Sequence, residues 1–380
     1  MLPSRGDTSP SSIRLTPRAA HRRSAIKPPD RCPHCNSKRL IKKGTRKKKL
    51  EDVPLYRCRS CGRTFAPGPR AIRNKTYPLP EILEAFILYD RGNTLEATAD
   101  KISSRYGHRV APSTISRWLA EHPALTTYRR LRDRGRQLFT PTQLIRTHKL
   151  YHRQVYEFAY HRAKLAFLKD GTLDDKRATG ASSTSRFSAL ADFVESIPQT
   201  CPHDLFRREE GARSSQLAPD FLALDKLIVV RKQNAATDMA ALILPAVGSN
   251  YERHPKLQRF MLANDSTTIA VEVPVWLTRD DIAALEKEHG IRLRSGDAEV
   301  TITGHIDFLQ VRNGVVHILD YKPDARTNKP IAQLTVYALA LARLTGLKLF
   351  DIKCAWFNQN EYCEFFPRML VSRGRRNRAA

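Results

Sequence analysis

The apolar positions of this chain change period as the sequence proceeds. Between Leu79 and His122 they recur at three- and four-residue spacing, the stripe of amphipathic helices. Pro80 opens a segment with Ile82, Leu83, Phe86, Ile87 and Leu88 on its apolar side, and Gly92-Asn93 interrupts it. Thr94 is placed to cap a second helix carrying Leu95, Ala99 and Ile102. Gly107 ends that helix, and Pro112 starts a third with Ile115, Trp118 and Leu119 inward. Three short helices with a tight connection before the last predict a helix-turn-helix over 78–124. Its third helix turns Ser113, Thr114, Ser116 and Arg117 outward, short polar donors suited to base edges and phosphates. The helical pattern continues over 125–170 through Arg129, Arg130, Arg132, Arg134 and Arg136. Its aromatics, Tyr151, Tyr156, Phe158 and Tyr160, would either stack on bases or fill a helical core. Residues 171–220 are rich in Gly, Ser, Thr and Asp and predict a linker with one short helix near Phe187–Ile197. Together, 125–220 form an expected helical, basic linker region.

Strand signals begin after Leu224 and predict a separate domain. Ile269–Val275 is an apolar run broken by Glu272, a carboxylate that is costly there without a partner. Gly304–Arg312 and Val315–Lys322 are β-prone runs joined by Asn313-Gly314, a strong short-range hairpin signal. Pro330–Thr345 predicts a largely apolar helix. Cys354 and Cys363 flank a second apparent hairpin at Asn358-Gln359-Asn360 and are expected to be buried structural thiols.

The Asn-Gly turn fixes a register with chemical content. Arg312 opposes Val315, and the same step outward sets Asp307 against Asp320, with Cβ atoms about 4.5–5.5 Å apart on one face. Lys322 shares the face of Asp320, and His305 is its register partner. Facing carboxylates repel unless a cation lies between them. They make an all-oxygen site suited to Mg²⁺ or Mn²⁺, which polarises a phosphoryl oxygen and lowers the pKa of a water. A lysine at the edge orients that water or stabilises the charged transition state. The bland alternative is a surface hairpin with an exposed Asp–Lys pair worth under about 1 kcal/mol, and a β-bulge would slip the pairing by one residue.

Charge and cysteine usage change the picture at the other end. The chain has 380 residues, enough for several domains, with 65 Lys/Arg against 38 Asp/Glu and a net charge of +27. Residues 1–75 hold 21 Lys/Arg and four Asp/Glu, so the excess is concentrated there, as in a polyanion-binding arm. Residues 1–30 predict a disordered basic arm, and 371–380 a basic tail. The longest uncharged runs, Met239–Tyr251 and Pro330–Ala342, are too short to span a bilayer. Neither a membrane nor a secretory route is expected, and the location is read as cytoplasmic and nucleoid-associated. Four of seven cysteines form two CxxC pairs, Cys32/Cys35 and Cys58/Cys61, separated by 22 residues. That spacing suits a tetrahedral zinc ion held by two knuckles in a ribbon over 31–70. Lys42, Lys43, Arg46, Lys47, Lys48 and Lys49 lie between the pairs and are expected to form a cationic loop for phosphates. His34 is read as a bystander.

Two resemblances follow from these motifs. Tyr56–Phe65 resembles the zinc ribbon at the head of many insertion-sequence transposases, where a helix-turn-helix follows; ribbons also serve as plain structural clips. Gly304-His305-Ile306-Asp307, then Asp320-Tyr321-Lys322, then Gln333 to Tyr337 resemble the PD-(D/E)XK nuclease superfamily, in its RecB-like branch. That resemblance implies an α/β restriction-endonuclease-like mixed sheet flanked by helices over 221–370. It implies Asp307 and Asp320 as metal ligands, Lys322 as the catalytic lysine, and Gln333 and Tyr337 as a pair near the active site and DNA. Glu272 is a candidate third metal-site acid, and His254, before Pro255, matches the family histidine only loosely. Cys201, Cys354 and Cys363 are one too few for the iron–sulfur cluster of some relatives. The chain is thus expected to be a DNA-binding, metal-dependent nuclease. The rival readings are a non-enzymatic DNA-binding regulator or transposition accessory protein, and a transposase with its own acidic triad.

Overall fold

The computed structural model describes residues 22–23, 26, 28–68, 76–170, 185–208, 212–216, 222–247, 249–291, 293 and 301–371. At the N-terminal end, β1 (Arg22–Arg23), β2 (Leu40–Lys47), β3 (Glu51–Cys58) and β4 (Thr64–Phe65) form a small sheet in which β3 pairs all three others. Two expectations are corrected here. Arg22 and Arg23, assigned to a disordered arm, pair in parallel with Glu51 and Asp52; the remainder of that arm lies almost wholly outside the described residues, as does the tail beyond 371. The cationic run is no loop either. Lys42, Lys43, Arg46 and Lys47 belong to β2, whose ladder with β3 slips once between Lys42 and Gly44. Lys43 is the extra residue of a bulge and Gly44 resumes the pairing, so the strand is not broken, and only Lys48 and Lys49 lie in the turn.

The helices α1 (Leu79–Asp90), α2 (Leu95–Tyr106) and α3 (Pro112–Glu121) follow in the expected order. Thr94 caps α2 through the Ala97 N–H, and Gly107 ends it in the left-handed conformation. Ile82, Phe86, Ile102, Ile115 and Trp118 are buried. Next come α4 (Arg129–Leu138), β5 (Ile145–His152), β6 (Gln154–His161), α5 (Arg162–Lys169), α6 (Ser188–Thr200), α7 (His203–Arg207), β7 (Ala212–Arg213), β8 (Val230–Arg231) and α8 (Ala235–Ile243). The helical reading of 125–170 therefore fails at its centre, where 145–161 is a β-hairpin turning at Arg153. Its Val, Tyr and Phe content favours a pleated, half-buried surface. Phe158 and Tyr160 fill the sheet core, whereas Tyr151 is exposed.

The C-terminal elements are α9 (Arg253–Asn264), β9 (Thr268–Leu277), α10 (Arg279–His289), β10 (Ile302–Arg312), β11 (Val315–Tyr321), α11 (Ile331–Thr345), β12 (Ile352–Phe357) and β13 (Tyr362–Phe365). They build a mixed sheet of order β5-β6-β9-β10-β11-β12-β13-β8, with β7 added beside β10. β9, β10 and β11 form an antiparallel meander, and α11 carries the chain over to β12, parallel to β11. Helices cover both faces: α5, α6, α10 and α11 pack on one, α8 and α9 on the other. This is the mixed, helix-flanked sheet of a restriction-endonuclease-like fold. Cys354 and Cys363 are buried within it.

The boundary between the front helices and the sheet is not a solvent gap. Leu79, Phe86 and Trp118 share one apolar core with Phe260 of α9 and with Phe308 and Leu319 of the sheet. The fully buried Lys164 of α5 also donates from Nζ to the carbonyls of Leu262, Asp265 and Thr268 at 2.5–2.9 Å. Burial pushes its pKa down to about 7, yet three carbonyls match the three donors of an ammonium. This contact fixes the turn from α9 into β9. Among the described residues no helix is long and apolar enough to cross a membrane. Lys164→Met leaves those carbonyls without their donor, and each orphaned buried group costs about 1–3 kcal/mol. A loss of at least about 3 kcal/mol is expected in urea denaturation; a loss below about 0.5 kcal/mol would refute this role.

Candidate active site and metal centres

The central strands part at Asp307. The β10–β11 ladder runs in the expected register from Arg312–Val315 to Phe308–Leu319, and the next positions outward are Asp307 and Asp320. There the ladder ends: the Tyr321 N–H donates to Asp307 Oδ2 at 3.0 Å, and the Lys322 N–H turns to the Phe357 carbonyl of β12. On the other flank, β9 pairs with β10 on both sides of Asp307, and the residue left opposite is Glu272. Glu272 has φ 50°, a left-handed conformation that costs a strand residue about 1–3 kcal/mol and persists only where the surroundings enforce it. The irregularity thus falls in β9 and leaves the Asn-Gly hairpin in register.

Asp307, Asp320 and Glu272 line one cavity of about 270 Å³ with Lys322, Gln333, Tyr337 and His254. Their proton affinities are pushed apart. Burial first, and then the neighbouring Asp307 charge, holds Asp320 well above the usual carboxylate range. Burial also raises Asp307, but its bond to His254 and the Tyr321 N–H outweigh this and keep it below that range. Burial and the Asp307 charge bring Glu272 to about 7 although Gln258 donates to it at 2.7 Å. His254 Nδ1 is 3.4 Å from Asp307 Oδ2, and Lys322 Nζ is 2.9 Å from Asp320 Oδ2. Three carboxyl groups around one space, Asp320 buried and Asp307 and Glu272 half-buried, form an all-oxygen donor set, which fits a hard divalent cation.

Gln333 and Tyr337 meet on one face of α11, with Gln333 Nε2 donating to the Tyr337 hydroxyl at 2.8 Å. The Tyr337 ring lies against Gly304, where a Cβ would overlap both the ring and the Ser214 hydroxyl. Gly304 is therefore needed for close approach, which sets the tyrosine beside the carboxylates. His305 lines the same cavity, though not in the expected register. The strands no longer pair at that step, so it does not face Lys322; it opposes Pro274 of β9, and its ring stacks on Tyr156 at 3.6 Å. Glu272, Asp307, Asp320, Lys322, Gln333, Tyr337 and His254 do come together. Gln258 and Ser214 were missed. Gln258 lies four residues beyond His254 on α9, a spacing that marks a shared helical face; Ser214 carries no motif.

At the front end the four ribbon cysteines converge, with Cys32 Sγ 3.7 Å from Cys61 Sγ and Cys35 Sγ 3.6 Å from Cys58 Sγ. The His34 N–H points at Cys32 Sγ, and the Cys61 N–H at Cys58 draws that thiol's pKa down to about 6. Four sulfurs with knuckle N–H groups aimed at them suit a zinc ribbon. The side chains of Lys42, Lys43, Arg46, Lys47 and Lys49 are exposed, while Lys48 is half-buried and pairs with Glu51 at 3.3 Å. On α3, Ser113 and Arg117 are exposed and Thr114 is half-buried.

No curated protein and no solved structure matches the chain. Its segment 203–364, which holds Glu272, Asp307, Asp320, Lys322, Gln333 and Tyr337, matches the family model of the PD-(D/E)XK nuclease superfamily.

Proposed function

We propose that this protein is a DNA-binding, divalent-metal-dependent nuclease that hydrolyses phosphodiester bonds. The observation that carries the reading is the cavity in which Asp307, Asp320 and Glu272 converge beside Lys322. In this reading Asp307, Asp320 and Glu272 hold Mg²⁺ or Mn²⁺. When bound, the ion supplies Lewis acidity at a phosphoryl oxygen and lowers the pKa of a water. Lys322, anchored by Asp320, orients the attacking water and offers positive charge to the phosphoryl oxygens as charge builds on them. His254 keeps Asp307 ionised, and the Gln333–Tyr337 pair steadies the nucleic-acid backbone at the cavity mouth.

The front end would deliver the substrate. Cys32, Cys35, Cys58 and Cys61 would hold Zn²⁺. The exposed cations of β2 and its turn would meet phosphates, and Ser113, Thr114 and Arg117 on α3 would enter a groove, positioning DNA through its backbone with limited base reading. A place in a mobile element or a genome-defence system, acting at the nucleoid, fits this front end by analogy.

Incubation with linear and circular DNA tests the reading directly. Cleavage is expected with Mn²⁺, none with EDTA, and at least about a hundredfold less in Asp320→Ala, whose DNA binding persists. Binding by the wild type without cleavage would identify a regulator, and joined ends a transposase.

Stability carries a second, independent signature. The Glu272 carboxyl has a higher pKa folded, about 7, than unfolded. Between about pH 4.5 and 7 the unfolded chain therefore loses its proton first, and stability falls as pH rises. Glu272→Gln lacks this loss. In EDTA it should exceed the wild type by roughly 3 kcal/mol at pH 8 and match it near pH 4, with Mn²⁺ narrowing the gap. A pH-independent difference in denaturation midpoints would contradict the buried-acid assignment.

A further inference from the structure

A second group of soft ligands lies outside the ribbon and adjoins the carboxylate cavity, whose wall it shares through His152. His152 ends β5, Cys201 follows α6, and His203 begins α7. One nitrogen from each histidine and the Cys201 sulfur lie within 4.8 Å of one another. His152 and Cys201 precede the segment that matches the nuclease family, so the group spans that unit and the hairpin before it. We propose that His152, Cys201 and His203 form a metal site for a zinc-class divalent ion, with the fourth position open to solvent.

The coordination chemistry fits the donors. Imidazole nitrogen and thiolate are borderline and soft ligands, the set that selects zinc over magnesium. His152 Nε2 and His203 Nδ1 stand 2.8 Å apart, and tetrahedral zinc needs about 3.3 Å between nitrogens. A side-chain adjustment of about half an ångström therefore opens the site. The outer ring atom of His152 is already committed, since Nδ1 lies 2.9 Å from His305 Nε2. With Nε2 on the ion, Nδ1 carries the proton and donates it to His305, the usual support of a ligating histidine. Phe206 stacks on the His152 ring at 4.1 Å and holds its plane. Burial lowers His152 and keeps it neutral, the form that coordinates. His203 is half-exposed, which gives solvent access to the fourth position.

The competing account is a hydrogen-bonded chain of three imidazoles, His203–His152–His305, with no ion. That chain explains both short nitrogen contacts but gives Cys201 no task. The Cys201 thiol is buried, has no hydrogen-bond partner among the described residues, and is pushed up to about 12 by burial. A bound cation would make it a thiolate. The ion would also tie the α6–α7 turn to the end of β5, beside His305 and the cavity. This proposal stands whether or not the cavity cleaves DNA.

Metal content of the full-length protein decides the matter. Wild type, Cys201→Ala and His203→Asn are purified under reducing conditions, dialysed against Mg²⁺ to clear the carboxylate cavity, and assayed for zinc by mass spectrometry. Each variant is expected to hold one zinc per chain fewer than the wild type. Asp320→Ala is expected to hold the wild-type amount. Equal zinc in the wild type and both variants would overturn the proposal. Cobalt substitution of the wild type alone covers the case in which a variant fails to fold. Two classes of bound Co²⁺ are expected, one with the spectrum of four thiolates and one with a single thiolate and imidazoles. A four-thiolate spectrum alone would equally overturn it.

Discussion

The repulsion among Glu272, Asp307 and Asp320 is the constraint around which this sheet is organised. A strand ladder wants main-chain pairs at every step, and a core wants no charge. At Asp307 the fold gives up both. The ladder stops on the β11 side, Glu272 takes a positive φ on the β9 side, and the Asp307 carboxyl occupies the gap by accepting the Tyr321 N–H. A purely structural hairpin would fill these positions with apolar side chains, which replace buried charges at no loss of stability or with a gain. Keeping three acids there is a standing cost, and strain of this kind collects where chemistry is done.

Groups on both faces of the sheet hold that cost in place. From one side, α9 presents His254 to Asp307 and Gln258 to Glu272. From the other, α11 presents Gln333 and Tyr337, whose ring can reach the cavity only because Gly304 has no side chain. Lys322 follows β11 beyond the end of the ladder with β10 yet stays tied through its N–H to β12, so its ammonium is carried by backbone hydrogen-bonded on a parallel strand. The carboxylates are thus gripped by two helices and four strands, which is why their proton affinities diverge although all three share one small space.

Much of this was legible because local rules determine it. The Asn-Gly turn fixes the hairpin register without reference to the remainder of the chain, so the facing of Asp307 and Asp320 follows from counting residues. The caps of α2 and the apolar face of α1 are equally local. Where the outcome depends on distant partners, the pattern misleads. Tyr156, Phe158 and Tyr160 follow a helix-rich stretch, and nothing nearby says that β9, more than a hundred residues later, waits to pair with them. His305 was assigned by extending the register past the point where buried acids break it. Lys42 to Lys47 read as a loop because an exposed edge strand needs no apolar face, which removes the alternation by which strands are recognised.

The helix α9 joins the two ends of the molecule. Its Arg259 pairs with Glu84 of α1 at 3.0 Å, and Arg105 of α2 reaches the same carboxylate. Asn264, at the C-terminal end of α9, donates to the buried Asp90 of α1, which also accepts from Thr127. Beside Arg259 in sequence the same helix offers Gln258, and more than one turn earlier His254, to the acids. A rigid helix shared in this way fixes the three-helix unit relative to the cavity more firmly than a flexible linker would. Had the front helices been a tethered module, the distance from a ligand held on α3 to Asp307 would vary with every fluctuation of the tether. Packed on α9 through one continuous core, α3 stands at a set distance from the carboxylates, so the geometry of the fold fixes how far the outward face of that helix lies from the cavity.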